Sequence, residues 1–149
     1  MADDATVVSQ VTVLPDEIAQ TISTTTTISP ADANDKWYYK LTSVSNASTD
    51  LMAGNFIDYT AVDDDTAPTA IHTADKVKFL YVKNTDSSNA VYIVIDGGTA
   101  STSATDALYV GAGQALSIQI PNTTVAEVHA ISSASTVTCI VAALLDDVA

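Results

Sequence analysis

From residue 76 onward short apolar runs alternate with clusters of Gly, Pro, Asn, Asp and Ser, punctuation that predicts strands joined by tight turns rather than alternating βα units. Residues 76–83 alternate so as to place Val77, Phe79 and Tyr81 on one face, and residues 90–95 do the same with Val91, Ile93 and Ile95. Asp96-Gly97-Gly98 then supplies residues that tolerate a positive φ in a turn. A short strand is expected over 107–110. Gly111-Ala112-Gly113 marks a bend, and 114–120 alternates cleanly on Leu116, Ile118 and Ile120 until Pro121 stops it. Residues 125–131 and 136–145 complete the set. The last run is apolar on both faces, which predicts a position inside a sandwich or at a subunit contact rather than at a wet edge.

The first half is less regular, but residues 5–13, 20–29, 36–44 and 56–62 each have strand composition. The Thr24–Thr27 run lies between Ile22 and Ile28 at even spacing, the pattern of an exposed strand rather than of a disordered tract. Residues 14–20, with Pro15, Asp16 and Glu17 at their start, are expected to form a helical turn or short helix. The whole reads as an all-β protein, a single-domain antiparallel sandwich over residues 1–149 that is jelly-roll-like with about eight or nine strands. Residues 1–13 form an arm or edge strand; strand count alone leaves a different Greek-key order open.

Composition strengthens the β reading and narrows the function. Of 149 residues, 21 are Thr, 16 Val and 11 Ile, stiff β-branched side chains that fit a pleated sheet. Eighteen acidic residues face five Lys and no Arg, a net charge of −13, so a nucleic-acid partner, which needs clustered cations, is not expected. Apolar content is 47%, yet the longest apolar run, residues 139–145, is far short of the ~20 residues of a membrane span. Apolar surface beyond one core is therefore expected to be buried between subunits. Met1-Ala2-Asp3-Asp4-Ala5 lacks the cationic and apolar regions of a secretory signal, and one cysteine permits no intrachain disulfide.

Candidate chemistry is sparse. His72 and His129 are the two imidazoles, and Glu127 lies two residues before His129, on the same face of a strand, where a carboxylate orients a ring. Cys139 alternates with Val137 and Val141, the place of a small buried hydrophobe. Asp63-Asp64-Asp65 with nearby Asp58 collects oxygen ligands but departs from an EF-hand loop, lacking its glycine and closing Glu, and reads as a solvated loop. Gly97-Gly98 and Gly111-Ala112-Gly113 lack the rest of any phosphate-binding fingerprint and read as turns. On a strand Trp37 and Tyr39 face one way and Tyr38 the other, which suits a core, an interface or a sugar-stacking platform. Asn46-Ala47-Ser48 and Asn122-Thr123-Thr124 match the glycosylation acceptor pattern, as expected by chance in a Thr-rich chain. No catalytic, cofactor-binding or metal-ligating set follows from these residues, and no enzyme is expected.

The stretches 78–84, 91–98, 108–116 and 125–131 (KFLYVKN, VYIVIDGG, LYVGAGQAL and VAEVHAI) resemble small virion proteins of tailed bacteriophages, including head decoration, or cement, proteins of marine and cyanobacterial phages. The resemblance covers about residues 76–145 and is a pattern of strands and turns, not a catalytic signature. It implies a β-sandwich subunit on a capsid surface in symmetric copies, a homo-oligomer such as a trimer, with the major capsid protein as partner and the virion as its location. A tail or neck subunit and a carbohydrate-binding or adhesin module, using Trp37, Tyr39 and calcium at the acidic loop, are the competing readings.

Overall fold

The computed structural model describes residues 4–13, 19–32, 34–55 and 70–148. The expected strand over 56–62, the acidic loop at Asp58 and Asp63–Asp65, and most of the expected helical turn (14–18) lie outside these residues. The chain divides into two units, residues 1–33 and residues 34–149.

The first unit is a two-stranded antiparallel ribbon, β1 (Ala5–Val13) and β2 (Gln20–Ile28), in register from Ala5 opposite Ile28 to Val13 opposite Gln20. Residues 5–13, expected as an arm or edge strand, form one strand of this ribbon. Its register sorts the side chains by chemistry, because directly opposed residues share a face. Ala5, Val7, Val11, Val13, Ile22 and Ile28 fall on one face together with Ser9, Gln20, Thr24 and Thr26; Thr6, Gln10, Thr12, Thr21, Ser23, Thr25 and Thr27 fall on the other, with Val8.

Among the described residues the second unit holds eight strands: β3 (Asp35–Val44), β4 (Thr49–Asp50), β5 (Lys76–Asn84), β6 (Val91–Val94), β7 (Leu108–Val110), β8 (Ala115–Gln119), β9 (His129–Ser132) and β10 (Val137–Asp146). One sheet runs β3-β10-β5-β8 and the other β4-β9-β6-β7, all antiparallel. Among these eight strands only β6–β7 is a hairpin within one sheet; every other connection passes from sheet to sheet, the jelly-roll order. The inner faces meet in one core that includes Tyr38, Val44, Leu80, Val82, Ile93, Val110, Cys139, Val141 and Leu145. β10, apolar on both faces, is central, paired to β3 and β5.

Two expectations are corrected. Val77, Phe79 and Tyr81 do not share a face: a bulge between Leu144 and Leu145 pairs these with Phe79 and Val77, leaving Lys78 opposite no residue of β10. Val77, Leu80 and Val82 then point inward, and Phe79 lies on the outer face, where its ring meets Trp37 edge-on at 6.2 Å. Residues 125–131 are not one strand. Val125–Glu127 is a 3-10 turn, and β9 starts at His129. Thr124-Val125-Ala126-Glu127 carries the Thr-x-x-Glu signature of a helical N-terminus, and the Glu127 carboxylate accepts hydrogen bonds from the Thr124 N–H (2.7 Å) and hydroxyl (3.0 Å).

Candidate functional site

Among the described residues several ionisable side chains collect in a few places where they tie parts of the fold together. The largest group sits where β3, β5 and β10 end together: Asp146 lies opposite both Asp35 and Lys76 in the ladder. Lys78, released from the ladder by the bulge, reaches Asp35 at 2.6 Å and Asp146 at 3.5 Å. The Asp35 carboxylate is fully buried, a state tolerated only with a partner this close. Hydrogen bonding to Asp35, opposed by partial burial, raises the Lys78 ammonium above its usual range.

Beside this network His72, Asp75 and Asp147 bring their ligand atoms within 4.8 Å of one another. Three such groups are the minimum for a metal centre, and the two carboxylates among them already have partners within the fold. The buried Asp75 accepts the backbone N–H of His72 (2.8 Å) on one oxygen and that of Val148 (3.1 Å) on the other, and Asp147 is ion-paired with Lys36. These contacts fasten the 72–75 turn and the C-terminal segment to the start of β3.

His129 is held, but not by Glu127. The Glu127 carboxylate is turned back onto Thr124, which keeps it below its usual range, while the His129 Nε2 lies 3.3 Å from the Asp50 carboxylate of β4. That neighbour was invisible in the sequence because it arises from β4–β9 pairing across some eighty residues. Among the described residues neither imidazole is hydrogen-bonded to a Ser, Thr or Cys, so no activated nucleophile is assembled around either ring. Cys139 is fully buried on the inner face beside Val137 and Val141, and desolvation pushes its thiol up to about 11, well away from reactive thiolate chemistry.

The loops at the sheet ends are fixed by amides and carboxylates. Fully buried Asn84, last residue of β5, donates from Nδ2 to the carbonyls of Asn89 (2.7 Å), Gly111 (3.2 Å) and Val110 (3.3 Å), and its Oδ1 accepts from Asp86 N–H (3.0 Å). Asp86 in turn accepts the N–H groups of Asn89 and Ser88, and Asp96 that of Gly98; these bonds hold both carboxyls below the usual range. Gly97 (φ +80°) and Gly113 (φ +69°) sit in the left-handed region, confirming both glycine clusters as turns.

The aromatic side chains divide as the alternation required. Tyr38 is fully buried, its hydroxyl donating to the Ala53 carbonyl, while Trp37 and Tyr39 lie on the outer face of the β3-β10-β5-β8 sheet. There Tyr39 (40% exposed) and Leu41 (62%) join Tyr81 and Ile140 as an aromatic and aliphatic strip. On the other sheet Tyr92 and Tyr109 pack edge-on at 5.3 Å. Among the described residues no helix is long and apolar enough to cross a membrane. Compared with protein families, with curated proteins and with solved structures, the chain matches none, so its function is argued from these features.

Proposed function

We propose that the chain is a non-enzymatic structural subunit of a tailed-bacteriophage virion, a capsid decoration protein that binds the assembled head as a symmetric homo-oligomer. The observation that carries this reading is where the polar chemistry goes: the carboxylates, lysines and amides described above tie down strand ends and loops of a jelly roll. Such a scaffold resists deformation and presents surfaces rather than a reaction centre. Jelly rolls recur in viral shells, and this part of the argument is a fold-level analogy that joins the strand-and-turn resemblance of residues 76–145.

The proposed mechanism is linkage. A subunit that binds the expanded shell of major capsid protein and not its unexpanded form stabilises the expanded state by RT ln(1 + [L]/Kd), about 2.7 kcal/mol per site at a hundredfold excess over Kd. Net charge of −13 keeps the free subunit dispersed before assembly and argues against contact with packaged nucleic acid. The test is co-sedimentation of the purified chain with expanded and unexpanded heads, with bound copies counted per shell. Saturable binding to expanded heads alone supports the reading, and no binding to either form refutes it. The carbohydrate-binding alternative has Tyr39 and the exposed Tyr109 in its favour; a glycan screen with and without a calcium chelator decides it, and fractionated virions distinguish a head from a tail or neck subunit.

A further inference from the structure

The β1–β2 ribbon is hard to account for as a solitary element. Seven of nine positions in β1 and eight of nine in β2 are exposed, and among the described residues each strand pairs only with the other, leaving two outer edges without a described partner strand. A lone two-stranded ribbon is marginal in water, and a long uncharged edge invites pairing with another chain. Yet its sequence is sorted as if one face were to be buried. Val11 (58% exposed) lies opposite Ile22 (60%), with Val13 and half-buried Val7 on the same face beside Ser9, Gln20, Thr24 and Thr26, while the reverse face has Val8 as its one apolar side chain among Thr, Ser and Gln.

Charge selects the occupant. The chain carries −13 overall, but β1 and β2 hold no ionisable side chain. A symmetric contact sets a surface against a copy of itself, so on a strongly acidic protein self-contact is favourable only where carboxylates are missing. The ribbon is such a surface, about 31 Å long at ~3.4 Å per residue.

We infer that the Val7/Val11/Val13/Ile22 face of the ribbon is the self-association surface of this protein, packed in the oligomer against the same face of further copies. This deepens the homo-oligomer part of the proposed function and does not depend on the virion part. It also reassigns the N-terminal region, which becomes an element that joins copies to one another rather than an arm aimed at the shell.

The experiment compares two full-length variants matched in added charge. Val11→Glu/Ile22→Thr alters the apolar face, and Gln10→Glu/Ser23→Thr alters the hydroxyl face at the adjacent ladder position; Thr keeps strand propensity in both. Mass is followed against concentration by sedimentation equilibrium, with circular dichroism and Trp37 fluorescence confirming that each variant is folded. Losing the apolar contact of two side chains from each partner at every interface weakens self-association by roughly 100-fold or more in the first variant. The second stays within about threefold of wild type, as expected for surface changes. A monomeric wild type, equal weakening by both variants, or unimpaired association of the first would overturn the inference. Wild-type oligomers that dissociate as expected but ignore capsids leave the inference standing and remove the virion reading; monomers that bind capsids do the reverse.

Discussion

Replacing Asn84 with alanine should be the most damaging single change to the loops at its end of the sandwich, and the structure gives its size. The side chain is fully buried and makes four hydrogen bonds to two separate segments, residues 86–89 and 110–111. Truncation does not cost four bonds. The Gly111 carbonyl keeps the N–H of Gln114 (3.0 Å), and the Val110 contact, at 3.3 Å, is the longest of the set. The Asn89 carbonyl and the Asp86 N–H lose the amide, each in a half-buried position, at ~1–3 kcal/mol for a group left unsatisfied. With the small void added, the expected loss is about 3 kcal/mol, a large part of the ~5–15 kcal/mol that holds a domain together, and the melting temperature falls by roughly 10 °C. Asn84→Asp keeps the shape but turns carboxylate oxygens toward carbonyls that need a donor. At neutral pH it should be worse than alanine, and it should recover relative to alanine on acidification, when a protonated carboxyl supplies one O–H. Thermal melts by far-UV circular dichroism at pH 7 and pH 4 measure both effects. An alanine variant within ~0.5 kcal/mol of wild type would refute the reasoning, since that is the range of a surface substitution.

Other outcomes follow from the same contacts. Lys78→Met should cost about 1–3 kcal/mol in denaturant unfolding at pH 7 by leaving Asp35 without its nearest cation, less than a wholly buried pair because Lys78 is one-third exposed. The Lys78 ammonium is raised in the folded state, so its contribution is complete below the unfolded value near 10.4 and is lost as pH rises through the higher folded value; the variant should lack that alkaline decline. At the acid end Asp86, Asp96 and Glu127 are all held low by hydrogen bonds, so their contribution is complete above the unfolded values near 4 and is lost as pH falls through the folded ones; unfolding midpoints should drop steeply below pH 4, and less steeply in Glu127→Gln. Cys139, buried with its thiol near 11, should resist alkylation at pH 8 in the folded protein and react stoichiometrically in denaturant; rapid labelling of folded protein would contradict its placement.

Much of the architecture was legible along the chain because a half-buried strand has a period of two. The alternations at 91–95 and 114–120, the Cys139/Val137/Val141 face, the split of Tyr38 from Trp37 and Tyr39, and the doubly apolar β10 all reflect burial on one or two faces of a sheet, a local pattern. So do the turns at Gly97 and Gly113, where φ is positive. Where the period alone was followed, it failed for identifiable reasons. The β5 bulge inserts one residue, Lys78, and turns Phe79 outward, although the Lys-Val-Lys-Phe-Leu run has nothing local to mark the slip. At 124–127 the Thr-x-x-Glu signature was present and outweighed by strand composition.

What the sequence by itself determined was the all-β class, most strand positions and the scarcity of cations, since each depends on residues within a few positions of one another or on totals. Only the tertiary structure decided the jelly-roll order, the Lys78–Asp35 and His129–Asp50 partnerships, the two segments tied to Asn84, and the gathering of most apolar side chains of the β1–β2 ribbon on one face. These depend on which strands pair and in what register, and pairing is set by the burial of a whole sheet face at once, a quantity no short stretch of chain contains.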